Sequence, residues 1–439
     1  MNKYNKYKPS GIEWIGEIPE HWEVKKLKYL ISNNDGGVWG NDGGNFYVLR
    51  STEINVDGSW NYENEPAIRD LSESEFSKSI LKEGDLLITK SSGSELHIGK
   101  TGLVNKKIAE MKCCFSNFMQ RIRPQNNQNP NLLFHHLNSK LAREQYNYLS
   151  NTTTGLANLS AEIINSILFP VPPTLDEQIA IANFLDQKTA EIDELIKQKE
   201  ELLLLFEEEK KAVINHAVTK GIDQDAKLKD SKIEWLGEIP EHWELTKLKY
   251  VTNKIGDGIH TTPTYTDFFE IYFINGTNLE NGKIRITEGT RSVDEEEYEK
   301  HRINLEYGTI LISLNGTIGK MAFYNGEKVI LGKSAAYIEC KKEINNEFVY
   351  YFLQSNYLKN CFEESFSGTT INNLSLHTLR NTKLVVPERN EQDRIVEFIK
   401  QNILIKDIQI ENTLKLIGFL KDYKIAMISE VATGKVRVI

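Results

Sequence analysis

The sequence predicts a mixed α/β fold made of two tandem repeats, each ending in a long helix, with the two long helices pairing as an antiparallel coiled coil. Three observations support this prediction. A nearly identical segment occurs at residues 12–29 and 233–250, short strand-like segments follow each copy, and each half ends in a long stretch of heptad spacing. The pairing is expected to relate the repeats by a pseudo-twofold axis.

The duplicated segment, called the hook below, reads IEWIGEIPEHWEVKKLKY in the first copy and IEWLGEIPEHWELTKLKY in the second. The copies differ at three positions only: Ile15/Leu236, Val24/Leu245 and Lys25/Thr246. Its tryptophans could stack on nucleic-acid bases: Trp14, Trp22, Trp235 and Trp243. Because sites that read different sequences should differ, their identity favours a structural or docking role.

Strand-like segments separated by Gly, Asn and Ser clusters follow each hook in the same order. In the first repeat they are FYVLR (46–50), DLLIT (85–89) and TGLVNK (101–106). In the second they are IYFIN (271–275), TILIS (309–313) and KMAFYN (320–325). This order predicts the same mixed α/β domain twice.

A helical segment, a loop and a final strand complete each domain. The helices are predicted at 132–148 and 348–360, and the loops at 152–160 and 367–375. Ser160 is placed to cap a short helix before the strand ILFPVPP.

Each repeat ends in a predicted helix of about 45 residues, at 175–219 after Pro172-Pro173 and at 388–433 after Pro387, with a glycine beyond each end. Apolar residues recur every seven positions: Leu185, Ile192, Phe206 and Val213 in the first helix, and Val396, Ile403, Ile410, Ile417 and Val431 in the second. Lys199 and Lys424 interrupt these series. Such helices would be roughly 65 to 70 Å long, so pairing with each other is favoured over packing on their own domains.

These features predict four segments. They are a first domain at 1–173, a central long helix at 174–221, a second domain at 222–387, and a C-terminal long helix with a tail at 388–439.

The composition indicates a soluble, cytoplasmic protein without a membrane segment or a metal site. Hydrophobic residues make up 40% and charged residues 26%, and no apolar run is long enough for a membrane helix. The four cysteines lack metal spacing and are expected to be free thiols. The net charge of −9 means that nucleic acid could be bound only through local basic patches, or with partners that supply positive charge.

No catalytic signature stands out in the sequence. The segment from Gly93 to Thr101 is similar to a phosphate-binding loop, but its glycines are one residue too far apart and a strand follows where a helix is needed. A turn that directs Lys100 and Lys320 at a phosphate or a partner is favoured over a nucleotide site.

Positions where the copies disagree are candidates for reading DNA. Aligning FYVLRSTEI with IYFINGTNL places Arg50 opposite Asn275 and Ser51 opposite Gly276, and Arg and Asn are the usual partners of guanine and adenine. Ordinary drift at a loop edge explains the same differences equally well. Further candidates for DNA contact are Trp39, Lys90, Lys100, Arg121, Arg123, His260, Thr261, Thr262, Tyr265, Lys320 and Lys333.

Taken together, the duplicated hook, the duplicated domain and the two long helices with Glu-Gln near their starts resemble the specificity (S) subunit of a type I restriction-modification system. The resemblance covers nearly the whole chain. It implies two target-recognition domains that each read half of a bipartite double-stranded DNA site, with the helices setting the gap.

The same resemblance implies partners and cofactors. Two methyltransferase (M) subunits would dock on the helices and use S-adenosylmethionine, and endonuclease (R) subunits would add ATP- and Mg²⁺-dependent cleavage. The chain itself would be non-catalytic and bind none of these cofactors. Alternatives are a subunit of a methylation-only or other defence complex, and a coiled-coil scaffold that does not bind DNA.

Overall fold

The computed structural model describes residues 3–92, 97–150, 158–234, 236–267, 270–356 and 373–438. The chain divides into two compact units, Met1–Glu200 with Leu414–Ile439 and Glu201–Thr413. Each unit therefore contains one mixed α/β domain, part of the first long helix and part of the second. No helix among the described residues is long and apolar enough to cross a membrane.

The first unit is built around a four-stranded antiparallel sheet with the strand order Ile31–Gly36, Met119–Pro124, Leu86–Thr89, Thr101–Leu103. A second sheet has the order Ala67–Asp70, Asn41–Leu49, Cys114–Phe115. Two two-stranded ladders join Tyr7–Pro9 to Glu17–Pro19 and Glu23–Lys26 to Leu168–Val171. The short helices are Glu73–Ser79, Lys106–Glu110, Pro130–Asn138, Lys140–Ser150 and Ala161–Ser166, with 3₁₀ turns at Leu27–Tyr29 and Ser51–Glu53.

The second unit repeats this plan. Its four-stranded sheet has the order Thr252–Asp257, Ala335–Cys340, Ile310–Ser313, Met321–Phe323. Its two-stranded pairs are Leu228–Asp230 with Glu238–Pro240, Glu244–Lys247 with Lys383–Val386, Tyr272–Ile274 with Val329–Leu331, and Leu279–Glu280 with Lys283–Ile284. The short helices are Glu295–His301, Asn346–Leu353 and Leu376–Asn381, with 3₁₀ turns at Leu248–Tyr250 and Gly276–Asn278.

The long helices span Leu175–Lys220 and Arg389–Ala432. In the second unit Lys210 bonds to Asp407 at 2.7 Å, and Ile214, Ala217, Val396 and Ile399 share one core cluster. In the first unit Lys424 bonds to Asp193 at 2.7 Å. Within each unit, earlier positions of one helix thus meet later positions of the other, which confirms the predicted antiparallel coiled coil.

The predicted strands and long helices are confirmed, with ends shifted by a few residues. The predicted helix at 132–148 is two helices, because Ser139 between them has an extended backbone with ψ 158°. Its hydroxyl accepts the Ala142 N–H at 3.3 Å, so it caps the second helix. Ser160 caps the next helix by accepting the Ile163 N–H. Parts of both predicted loops, and residues 357–360 of the predicted helix, lie outside the described residues.

Candidate nucleic-acid interface

The first hook fastens its domain to the start of the first long helix. Trp22 is fully buried, and its indole N–H donates to the Glu177 carboxylate at 3.0 Å. The Tyr4 hydroxyl donates to the same carboxylate at 3.1 Å, and the His21 ring nitrogen lies 3.2 Å from it. Burial and the nearby carboxylate raise the pKa of Tyr4, which keeps it a donor. The tip of Trp22 also packs on Gly434, just beyond the second long helix.

The second hook repeats the tryptophan and histidine contacts inside its own unit. The buried Trp243 donates to Glu391 at 3.1 Å, and the His242 ring nitrogen lies 2.8 Å from that carboxylate. The Trp243 ring packs near Gly221 at the end of the first long helix. Trp22 and Trp243 therefore lie in the interior, where they cannot stack on bases. Trp14 is half exposed, and Trp235 lies outside the described residues.

The glutamine after each of these glutamates makes the next connection. Gln178 accepts the Asn129 N–H at 2.9 Å and donates to the Pro172 carbonyl at 3.1 Å. Gln392 makes the equivalent bonds to Asn345 and Pro387, both at 2.8 Å. The repeated Glu-Gln pair is thus the joint between each domain and its long helix.

In the first unit, several loops meet at one end of the strands of the four-stranded sheet. This end, with its loops, is called the loop edge below. Val38 forms a bridge with Ser116, and Ser91 with Asn158, whose side chain accepts the Ser91 hydroxyl at 2.7 Å. Lys90 is half-buried at this edge. Polar and basic groups at a loop edge can contact base edges in a DNA groove.

The second unit has the corresponding loop edge. Ile259 forms a bridge with Gly332, and Asn315 with Asn373. His260 follows Ile259, is exposed, and bonds to Asp257 at 2.9 Å. The other predicted residues of this loop and the neighbouring lysine are also exposed: Thr261, Thr262, Tyr265 and Lys333.

An arginine guanidinium lies over an aromatic ring near each loop edge. The Arg69 guanidinium lies 3.9 Å from the Trp39 ring centre, and that of Arg291 lies 5.6 Å from the Tyr265 ring centre. Arg69 also pairs with Asp42, whereas Arg291 is exposed. The prediction missed both arginines. Aligning IRDLSESEF (68–76) with TRSVDEEEY (290–298) would have found them, since each precedes a capped helix by the same spacing.

The predicted reading pair Arg50 and Asn275 has a structural role in both units. Arg50 donates to the Glu53 carboxylate at 2.9 Å, and that carboxylate accepts the Arg50 backbone N–H. Asn278 accepts the Asn275 backbone N–H at 2.9 Å in the same way. Ser51, in the first of these 3₁₀ turns, is half-buried. The side chains that differ between the copies close equivalent turns, which argues against a role in reading bases.

Three of the predicted cationic residues form hydrogen bonds or ion pairs with other residues of the first domain. Lys100 is 4% exposed and donates to the Ile54 carbonyl at 2.5 Å, and burial lowers its pKa against the opposing effect of Glu53. Arg121, also 4% exposed, bonds to Asp35 at 2.6 Å.

Arg123 bonds to Asp85 at 2.6 Å, and this hydrogen bond raises the pKa of the guanidinium. The burial of Lys100 and Arg121 and the ion pair of Arg123 argue against their predicted DNA contacts. In the second unit Lys320 is exposed and lies 4.0 Å from Glu280.

No cluster of three or more His, Cys, Asp or Glu side chains suited to a metal occurs among the described residues. Burial raises the pKa of the Cys113 thiol to about 12 and of Cys114 to about 11. These are unreactive packing residues. The partial phosphate-loop pattern at 93–101 lies partly outside the described residues.

A family model described as the type I restriction modification DNA specificity domain matches residues 19–205 and 240–416. The chain is 26% identical to the putative type I restriction enzyme MjaX specificity subunit of Methanocaldococcus jannaschii, over 97% of this chain and 96% of that protein. It is 22% identical to the type I restriction enzyme EcoKI specificity subunit of Escherichia coli, over 78% of this chain and 75% of that protein.

Two solved structures share the fold. One, from work on complex assembly and conformational transition of the type I R-M system, has a TM-score of 0.71 at 17% identity, covering 95% of this chain and 99% of that chain. The HsdS subunit from Thermoanaerobacter tengcongensis has a TM-score of 0.59 at 16% identity, covering 95% and 98%.

Proposed function

Since the chain belongs to the type I restriction-modification DNA specificity family, we propose that it is the non-catalytic subunit that reads a bipartite DNA site for a methyltransferase and endonuclease complex. The observation that carries this proposal is a single scaffold present twice with different loops. The two hooks make the same contacts to Glu177 and Glu391, while the segments at 36–44 and 257–265 differ in sequence.

In this proposal each loop edge reads one half of the site, mainly in the major groove, where the four base pairs are distinguishable. The side chains at the loop edges are the contacts we propose: the half-buried Lys90 and the exposed His260, Thr261, Thr262, Tyr265, Arg291 and Lys333. The long helices would set the distance between the two halves.

The long helices would also bind the methyltransferase subunits. Leu205 and Phe419 are 53% and 70% exposed, and each lies 28 positions after the glutamate that holds its hook (205 − 177 and 419 − 391). Large apolar side chains exposed at equivalent positions fit a partner that is present twice. The methyltransferase subunits would carry S-adenosylmethionine, and the endonuclease subunits ATP and Mg²⁺.

The test is to co-express the chain with its methyltransferase partner and map methylated adenines in the host genome. We expect one asymmetric bipartite motif. Exchanging residues 36–44 for those of a relative should change one half of the motif and leave the other half and the gap unchanged. A motif changed in both halves, or a methylation pattern with no bipartite motif, would refute the proposal.

A further inference from the structure

Packing explains much of the identity between the two hooks. Ile18, Trp22 and Leu27 and their copies are buried, and His21 and its copy bond to the helix glutamates. A Lys-Tyr pair at the end of each hook is not explained in this way. Tyr29 is 60% exposed and Tyr250 is 59% exposed, although both copies have kept the pair.

The pair has the same geometry in both units. The Lys28 ammonium lies 4.8 Å from the centre of the Tyr29 ring, and the Lys249 ammonium lies 5.1 Å from that of Tyr250. Both lysines are exposed. Because an exposed contact of this kind adds little stability, the fold alone gives little reason to keep it twice.

Other lysines surround each tyrosine. In the first unit Lys8, Lys25 and Lys26 line one groove together with Tyr29. Lys25 pairs with Glu23 at 3.0 Å. Among the described residues, no carboxylate forms an ion pair with Lys26 or Lys28.

In the second unit Lys247 lies directly opposite Lys383 in the ladder between Glu244–Lys247 and Lys383–Val386. Like charges in facing positions of a ladder are destabilising. Lys249 lies two residues after Lys247 and adds a third positive charge nearby. Within the described part of the chain, no carboxylate forms an ion pair with Lys249 or Lys383. An anion that binds here would relieve this repulsion.

We infer that these two lysine-tyrosine patches, Lys26, Lys28 and Tyr29 in one unit and Lys247, Lys249, Tyr250 and Lys383 in the other, bind the phosphate backbone of DNA without regard to sequence. This inference rests on the proposed function. Phosphates are the same in both halves of any site, so the residues that bind them can stay identical while the loop edges diverge. The two patches also supply local positive charge, which a chain of net charge −9 needs in order to approach DNA.

The test uses the complex of the full chain with its methyltransferase partner and compares two double variants that each remove two positive charges. The patch variant is Lys28→Ala with Lys249→Ala. The control is Lys106→Ala with Lys300→Ala, whose side chains are 78% and 63% exposed, one in each unit. The measurements are DNA affinity at several salt concentrations, the methylated motif and the number of methyltransferase subunits per chain.

For the patch variant we expect the slope of log affinity against log salt to become shallower by about 0.9 for each phosphate that the variant no longer neutralises. The motif and the number of methyltransferase subunits should stay unchanged, and the control should keep the slope of the unmodified complex. A patch variant with the control's slope would overturn the inference. Loss of methyltransferase subunits would overturn it too, by assigning the patches to protein docking.

The unmodified complex tests the proposed function separately. If it binds DNA in a salt-dependent way but without sequence preference, the reading function fails while the patch inference can still be judged from the slopes.

Discussion

At the scale of single residues, two glycines close the ends of the long helices against buried tryptophans. Gly434 has φ +74°, and an added Cβ would lie 2.5 Å from Pro19 and 2.9 Å from Trp22. Gly221 has φ +78°, and its Cβ would lie 3.2 Å from Trp243. A side chain at Gly434 would combine a strained backbone with a steric clash, and one at Gly221 would combine the same strain with a tight contact.

We expect Gly434→Ala to lower the free energy of unfolding by about 1 to 2 kcal/mol from the left-handed backbone alone, with the clash adding to this. Gly418→Ala is the matched control. Gly418 lies inside the second long helix with nothing within 4 Å of its added Cβ, so alanine there should stabilise by about 0.5 to 1 kcal/mol. Denaturant unfolding of the two variants compares them, and equal effects would refute this account of Gly434.

At the scale of elements, the long helices are joined by an ion pair that occurs twice. Lys210 with Asp407 in the second unit and Lys424 with Asp193 in the first are the same pair, because each member is displaced by 214 positions (424 − 210 and 407 − 193). Both lysines are 20% exposed on their side chains. Lys424 is the residue that interrupts the apolar heptad series of the second long helix. The facing aspartate compensates its charge.

We expect Lys210→Asp to destabilise the protein, since two carboxylates would then face each other. Adding Asp407→Lys to this variant should restore part of the lost stability. The coupling between the two sites should be about 0.5 to 1 kcal/mol in a double-mutant cycle. The comparison pair is Lys188 and Glu191, which bond at 2.6 Å within one helix and should couple by about 0.3 kcal/mol. Equal coupling energies in the two cycles would mean that the ion pair between the helices contributes no more stability than an ion pair within one helix.

At the scale of the whole molecule, the first unit contains both ends of the chain. The Tyr7 hydroxyl donates to the Lys435 carbonyl at 3.1 Å, and Gly434 packs on Trp22 and Pro19. In the second unit the equivalent place is taken by Gly221, in the middle of the chain. The first domain therefore depends on residues more than 400 positions away (435 − 7 = 428).

Removing residues 433–439 should weaken the first hook and leave the second intact, because only the first hook packs on a glycine in that segment. Hydrogen exchange should become faster at residues 12–29 and remain unchanged at 233–250. The second hook is an internal control in the same molecule. Equal acceleration in both hooks, or none in either, would contradict this dependence.

The repeat itself made most of the fold predictable. The duplicated hook, the order of the strand segments and the heptads depend on local spacing, so the mixed α/β domains and the antiparallel helices followed from the printed residues. Which side chains are free to contact DNA was harder to predict. Arg50, Lys100 and Arg121 suit DNA contact by residue type, but their partners Glu53, Ile54 and Asp35 appear only once the chain is folded.

The sequence alone determined that the chain carries one domain twice and a long helix after each, because identity and periodicity along a chain need no tertiary contact to be recognised. Only the tertiary structure showed why particular residues are identical in the two hooks. Trp22 and Trp243 are kept because each joins the start of one long helix to the end of the other, whereas Tyr29 and Tyr250 are kept although they face solvent. Burial separates the two cases, since a buried side chain is constrained by its neighbours and an exposed one is not.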